Sequence, residues 1–160
     1  MKLREVVTSM DFKEFKYYLW DSLRDINEQL DRVFEPACKQ YNLTMIQAQI
    51  LLKIDHFGPL RVGSLGKSIN IAGGNISSLC KKMEKQGLLL RYRDTEDERA
   101  VNIALTKYGQ SVVDGISIIL REQYSAMMSS HPQEDLDCIV EGLKRLNVLL
   151  HKLNSSPALY

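Results

Sequence analysis

The sequence predicts a mainly α fold carrying one small β-hairpin, and three observations point to it. Apolar residues recur at alternating three- and four-residue steps near both ends of the chain. Shorter helical periods in the middle are punctuated by Gly58-Pro59, Asn70 and Gly73-Gly74. Between Leu88 and Leu105 the spacing changes to two, as a half-buried strand pair requires.

Taken in order, Phe12, Phe15, Leu19, Leu23, Ile26, Leu30, Val33 and Ala37 form the stripe of a long amphipathic helix, with Pro36 kinking it or lying near its end. Thr44 with Gln47 three residues on matches a capping box, so a second helix begins there. Ile46, Ile50, Leu51 and Ile54 supply its buried side, and Gly58-Pro59 stops it. A short third helix fits Gly63 to Ile69, followed by a turn over Asn70 to Gly74. A fourth fits Asn75 to Gln86, with Ile76, Leu79, Cys80 and Met83 inside and Gly87 as its C-terminal cap.

In the first strand Leu88, Leu90 and Tyr92 face one side, while Leu89, Arg91 and Arg93 face the other. Val101, Ile103 and Leu105 form the return, and Asp94 to Glu98 make a solvated tip. Thr106 reads as the N-cap of a fifth helix, which His131-Pro132 breaks. A last helix runs from about Gln133 to Leu153. Its Leu136, Ile139, Leu143, Leu146, Leu150 and Leu153 make a seam for another helix, and 154–160 is a loose tail.

The chain of 160 residues, 44% of them hydrophobic, suits one domain with one core. Within 1–160, the long helices of 11–42 and 107–153 flank 43–106, the expected central functional region. No apolar run resembles a signal peptide or a membrane span, so the expected location is cytoplasmic, with no membrane partner. Cys38, Cys80 and Cys138 lie far apart without metal-ligand spacing, and His56, His131 and His151 are scattered. Neither a metal nor another cofactor is expected. Cys80 reads as a small buried hydrophobe rather than a redox switch. A phosphate-binding loop and a nucleophile paired with a base are both missing from the motifs, which argues against an enzyme.

Two short helices joined by a tight turn and followed at once by a hairpin form a winged helix-turn-helix. The net charge of +1 conceals a local bias. Between Arg61 and Arg93 stand Arg61, Lys67, Lys81, Lys82, Lys85, Arg91 and Arg93, opposed within the helical part by Glu84. Such cations neutralise phosphates of double-stranded DNA, whereas Asn75, Ser77 and Ser78 at the start of the fourth helix are suited to reading base edges. Gly73 and Gly74 let backbone approach a phosphate closely. The expected DNA contacts are therefore Lys67, Gly74, Asn75, Ser77, Ser78, Lys81, Lys82, Arg91, Arg93 and Arg99. On the first helix Tyr17, Tyr18, Trp20 and Arg24 are candidates to line a pocket for a small-molecule effector.

With these residues in place, the chain resembles the MarR family of transcriptional regulators from about Asp11 to Leu153. The resemblance rests on Leu43-Thr44-x-x-Gln47, Ile76-Ser77, Met83-Glu84-x-x-Gly87-Leu88, Arg91, Asp97-x-Arg99 and Leu105-Thr106-x-x-Gly109. It implies a homodimer whose terminal helices associate, one recognition helix per protomer in the major groove and the wing at the minor groove of a pseudo-palindromic operator. It also implies pairing of Asp97 with Arg99 within the wing, repression of target genes and release by a ligand.

The chain departs from the family pattern at three places. Gly66 stands where Ala is usual, at a helix-propensity cost of about 1 kcal/mol. Gly73-Gly74 replaces a more polar lead-in, and Glu96-Asp97-Glu98 makes the wing tip acidic. The last two leave an alternative reading as a winged-helix protein-interaction module without DNA binding.

Overall fold

A computed structural model describes residues 11–94, 97 and 100–155, so Arg99 and its expected pairing with Asp97 lie outside the described residues. The elements run α1 (Phe12–Gln40), α2 (Met45–Phe57), β1 (Leu60–Arg61), α3 (Val62–Ser68), α4 (Gly73–Lys85), β2 (Leu89–Arg93), β3 (Val101–Leu105), α5 (Lys107–Ser130) and α6 (Gln133–Ser155). The chain divides into two compact units within α5, one ending at Leu120 and the other starting at Arg121.

In the first unit Ile50 and Leu51 of α2, Leu65 of α3, Ile76, Cys80 and Met83 of α4, Leu89 and Ile103 of the sheet and Val112, Val113 and Ile116 of α5 are fully buried. One core therefore fixes α4 against the sheet and α5. The sheet has three strands rather than the expected two, in the order β1-β3-β2 and antiparallel throughout. The extra strand pairs Leu60 with Ile103 and Arg61 with Asn102. Two residues are too few to show an alternation in sequence, and Gly58 at φ 76° redirects the chain into this pairing.

Three helices of this unit end in the same way. After α4, the Gly87 N–H donates to Glu84 O (2.9 Å) and the Leu88 N–H to Met83 O (3.0 Å), a Schellman motif with Gly87 at φ 75°. After α1 and α3 the left-handed position is taken by Asn42 (φ 51°) and Asn70 (φ 53°), with equivalent bonds from Leu43 to Cys38 O and from Ile71 to Gly66 O. At the other end of α2 the capping box is complete: the Gln47 N–H donates to Thr44 Oγ1 and the Thr44 N–H to Gln47 Oε1 (2.9 Å).

The Gly66 departure has a packing cause. A Cβ there would lie 2.9 Å from Ile76 Cγ2 and 3.1 Å from Ile71 O, so glycine allows α3 and α4 to approach closely. Gly109 is tighter still, with Leu88 O 2.1 Å from where a Cβ would be.

The long α1 continues through Pro36 to Gln40 and buries only Ala37 and Cys38. Its Asp11 caps it by accepting from the Glu14 N–H (2.8 Å). In the second unit α6 has no buried residue: Ile139, Leu143 and Leu153 of the expected seam are exposed, and Leu136, Leu146 and Leu150 are half-buried. Among the described residues no helix is long and apolar enough to cross a membrane.

Candidate nucleic-acid interface

The recognition element α4 starts two residues earlier than the sequence suggests, because Gly73 and Gly74 join its first turn. Ile76, Cys80 and Met83 recur at steps of four and three and take its inner side into the core. The same geometry turns Asn75, Ser78, Lys81, Lys82 and Lys85 outwards, where they are exposed; Ser77 is half-buried. Polar side chains thus occupy the first turns and ammonium groups the later ones. Lys67 is exposed on α3. It lines, with Arg61, Ser64, Gly73 and Ser77, an open hollow of about 430 Å³ bounded by α3, the start of α4 and β3.

Strand parity decides where the wing arginines go. Leu89 and Arg91 share the inner face of β2, Leu90 and Tyr92 the outer one. Arg91 stands opposite the fully buried Ile103, its side chain is 16% exposed, and its guanidinium lies 3.4 Å from the Glu84 carboxylate of α4. It ties the wing to the recognition helix. Its Nε is buried without a hydrogen-bond partner. Arg93, at the end of the strand, is exposed.

A residue that sequence reasoning missed organises the wing base. The Asp94 carboxylate, 14% exposed, accepts from Arg61 Nη2 (3.1 Å), Asn102 Nδ2 (3.0 Å) and the Asp97 N–H (3.2 Å). The Asp94 N–H donates to Ala100 O, and the Ala100 N–H to Asp97 O. One carboxylate therefore joins β1, β3 and the tip. Its cue in the sequence was a single Asp directly after the strand, which read as part of a solvated turn.

The C-terminal end of α4 is held by two other helices. Gln47, 3% exposed, donates from Nε2 to Gln86 Oε1 (2.9 Å), while Thr106 Oγ1 donates to Gly87 O (2.5 Å) and accepts from the Gly109 N–H (2.8 Å). The Leu105-Thr106-x-x-Gly109 motif is thus a joint between the start of α5 and the end of the recognition helix.

Burial pushes the Cys80 thiol up, opposed by the nearby Arg91 guanidinium, and burial with the Asp31 charge pushes Cys38 up. A raised thiol that water cannot reach is a poor nucleophile, in keeping with the packing role expected for Cys80, which is fully buried. Tyr17, Tyr18 and Trp20 are exposed on α1, and Arg24 lies 3.7 Å from Asp21 and 3.4 Å from Asp25. A cavity of about 450 Å³ lies further along that helix, lined in part by Asp31, Glu35, Cys38, Leu43 and Met45.

The comparisons with known proteins agree with this fold. The family model of the transcriptional regulators SarA/Rot matches residues 32–116. The organic hydroperoxide resistance transcriptional regulator of Bacillus subtilis is 31% identical over 142 residues, which cover 86% of this chain and 90% of that protein. Among solved structures, a MarR family protein from Bacillus stearothermophilus superposes with a TM-score of 0.68 at 22% identity, over 89% of this chain and 99% of the other. Reduced AbfR bound to DNA has the same fold, with a TM-score of 0.63 at 22% identity over 86% and 95% of the two chains. The chain belongs to the MarR family of winged helix-turn-helix transcriptional regulators, with the SarA/Rot regulators among its kin.

Proposed function

We propose that two copies of this chain bind a pseudo-palindromic duplex, with each α4 in a major groove and each wing beside the neighbouring minor groove, and that they repress the adjoining genes until an effector binds. The carrying observation is the two-sided character of α4: a buried apolar stripe behind an exposed row of Asn75, Ser78, Lys81 and Lys82. The second copy is supported by α6, whose apolar seam has no buried residue in one chain. Lys67, Gly74, Lys81, Lys82 and Arg93 are assigned to phosphates, and Asn75, Ser77 and Ser78 to base edges. Arg91 acts from the inner face of β2 by setting the wing against α4. Arg99 is assigned to the wing by the family motif.

Replacing Lys81 and Lys82 by Ala tests this division of labour. Binding should weaken on every duplex, and the slope of log affinity against log salt should fall by about two, near 0.9 for each phosphate that is no longer neutralised. Asn75→Ala should instead narrow the gap between operator and random duplex. Fluorescence anisotropy across a salt series reads both. Equal losses on operator and random sequence for Asn75→Ala would contradict the assignment. Sedimentation showing a stable monomer at micromolar concentration would remove the palindrome.

A further inference from the structure

We infer that Gln47, outside the recognition helix, is a specificity-determining positioning residue: its carboxamide sets how α4 is presented to the bases. The inference rests on the reading of α4 as the DNA-reading element. Gln47 is the one polar residue among the buried side chains of the described part of the chain. Burying an amide is costly unless its donors and acceptors are matched. Its Oε1 accepts from the Thr44 N–H (2.9 Å) and Thr44 Oγ1 (3.1 Å), which fixes the side chain within the first turn of α2. That leaves Nε2 as its outward-facing donor, directed at Gln86 Oε1 at 2.9 Å.

Gln86 is the C-cap residue of α4. A cap needs no help from α2, because Gly87 and Leu88 already complete the Schellman bonds. The Gln47–Gln86 bond is therefore surplus to helix termination; what it adds is a fixed azimuth and depth for the end of α4 relative to α2. Thr106 grips the adjacent Gly87 carbonyl from α5, so the two bonds act on successive residues from two different helices. Rotation of α4 about its axis would move Asn75 and Ser77 across the base edges while leaving flexible lysines able to reach phosphates. A fault in the Gln47 bond should thus degrade discrimination rather than bulk affinity.

The chemistry of the pair supplies a test that does not depend on general stability. Gln86→Met, on the exposed partner, removes the bond and leaves the capping box intact. Gln86→Glu keeps an acceptor for Nε2. Gln47→Glu keeps the capping acceptor at a position where Glu is common, and lets the Gln86 amide turn to donate. Combining Gln47→Glu with Gln86→Glu sets two carboxylates against each other and abolishes the bond at a pH high enough that they no longer share a proton.

Affinities of the full chain are measured for a duplex selected by the unmodified protein and for random duplex, with melting curves to establish folding. Gln86→Met and the double Glu variant should lower the operator-to-random ratio about tenfold at an unchanged salt slope, while each single Glu variant stays near the unmodified ratio. An unmodified ratio in Gln86→Met and in the double Glu variant would overturn the inference, as would a uniform loss on both duplexes. Failure of the unmodified protein to prefer any duplex would overturn the DNA-reading assignment itself, and the inference with it.

Discussion

The two ends of α4 are built on opposite principles. At its C-terminal end, Gln86 is bonded to Gln47, Gly87 to Thr106, and Leu88 lies against Gly109 closely enough to exclude a Cβ. At its N-terminal end, Ala72 offers no side-chain cap, and a Cβ on Gly73 or Gly74 would meet nothing within 4 Å. The last turn is tied by side-chain bonds to α2 and to Thr106, whereas the first turn has no side-chain cap and is held from inside by Ile76, which packs against Gly66. An uncapped first turn can fray while the tethered last turn stays formed, so the two ends differ in how readily they adjust.

The largest expected effect comes from attacking the anchored end. Gly109→Ala forces a Cβ to within about 2 Å of a backbone oxygen, which neither Leu88 nor α5 can yield without moving the joint. It should destabilise the protein by about 3 kcal/mol, read as a lowered urea midpoint. A loss of stability within about 0.5 kcal/mol would show that the joint is soft and that the two ends do not differ.

Thr106→Val comes next. It is nearly isosteric but deletes the donor to Gly87 O and the acceptor for the Gly109 N–H. A loss of about 1–2 kcal/mol is expected, in the range of a removed N-cap with an orphaned partner. Hydrogen exchange should localise the change to the last turn of α4 and the first of α5. Acceleration at Ile76, whose N–H makes the first bond of the helix to Ala72 O, would instead mean that the ends are not independent.

A third test concerns the middle of the helix, where Cys80 faces the core. Its thiol is held above the usual range by burial, with Arg91 pulling the other way. An unfolded thiol ionises near pH 8.5. Above that pH the unfolded chain sheds the proton that the folded chain retains, so stability falls until the folded thiol also ionises; below it the contribution is fully present. Cys80→Ala should flatten this alkaline fall, by at most about 1.4 kcal/mol per pH unit, and Cys38 should preserve part of it. An unaltered slope in denaturation series from pH 7 to 10 would place the thiol in contact with water.

How much of this was legible in the sequence depends on the range of each interaction. The capping box at Thr44 and Gln47, the end of α4 at Gly87 and the stripe of Ile76, Cys80 and Met83 are local patterns, and each reads directly from spacing. The second bond of Gln47 spans 39 residues, so the sequence showed the cap and not the tether. Gly66 looked like a propensity defect because only the α3–α4 crossing reveals Ile76 above it. Asn42 and Asn70 take the left-handed positions after α1 and α3, where the sequence marked no cap, since a short amide side chain tolerates that region. Alternation placed Arg91 on one face of β2 without saying which face is inner, and the burial of Leu89 decides that. Tyr17, Tyr18, Trp20 and Arg24 were grouped by their place on α1, and the three aromatics stand exposed in a single chain.

The smallest effect is expected at the open end, and its sign is the point. Ala72 occupies the N-cap of α4 with extended ψ (140°) and leaves the first N–H groups of the helix without a side-chain acceptor. Ala72→Ser supplies one, so it should stabilise the free protein by about 0.5–1 kcal/mol and slow hydrogen exchange at Gly74 and Asn75. If the openness of this end serves adjustment to the groove, the same variant should gain nothing in operator affinity, and a phosphate seated on those N–H groups would be displaced by the new hydroxyl. Stability would then rise while binding weakens. A variant that improved both would show that the missing cap is simply unoptimised sequence, and that the contrast between the two ends has no bearing on how the helix reads DNA.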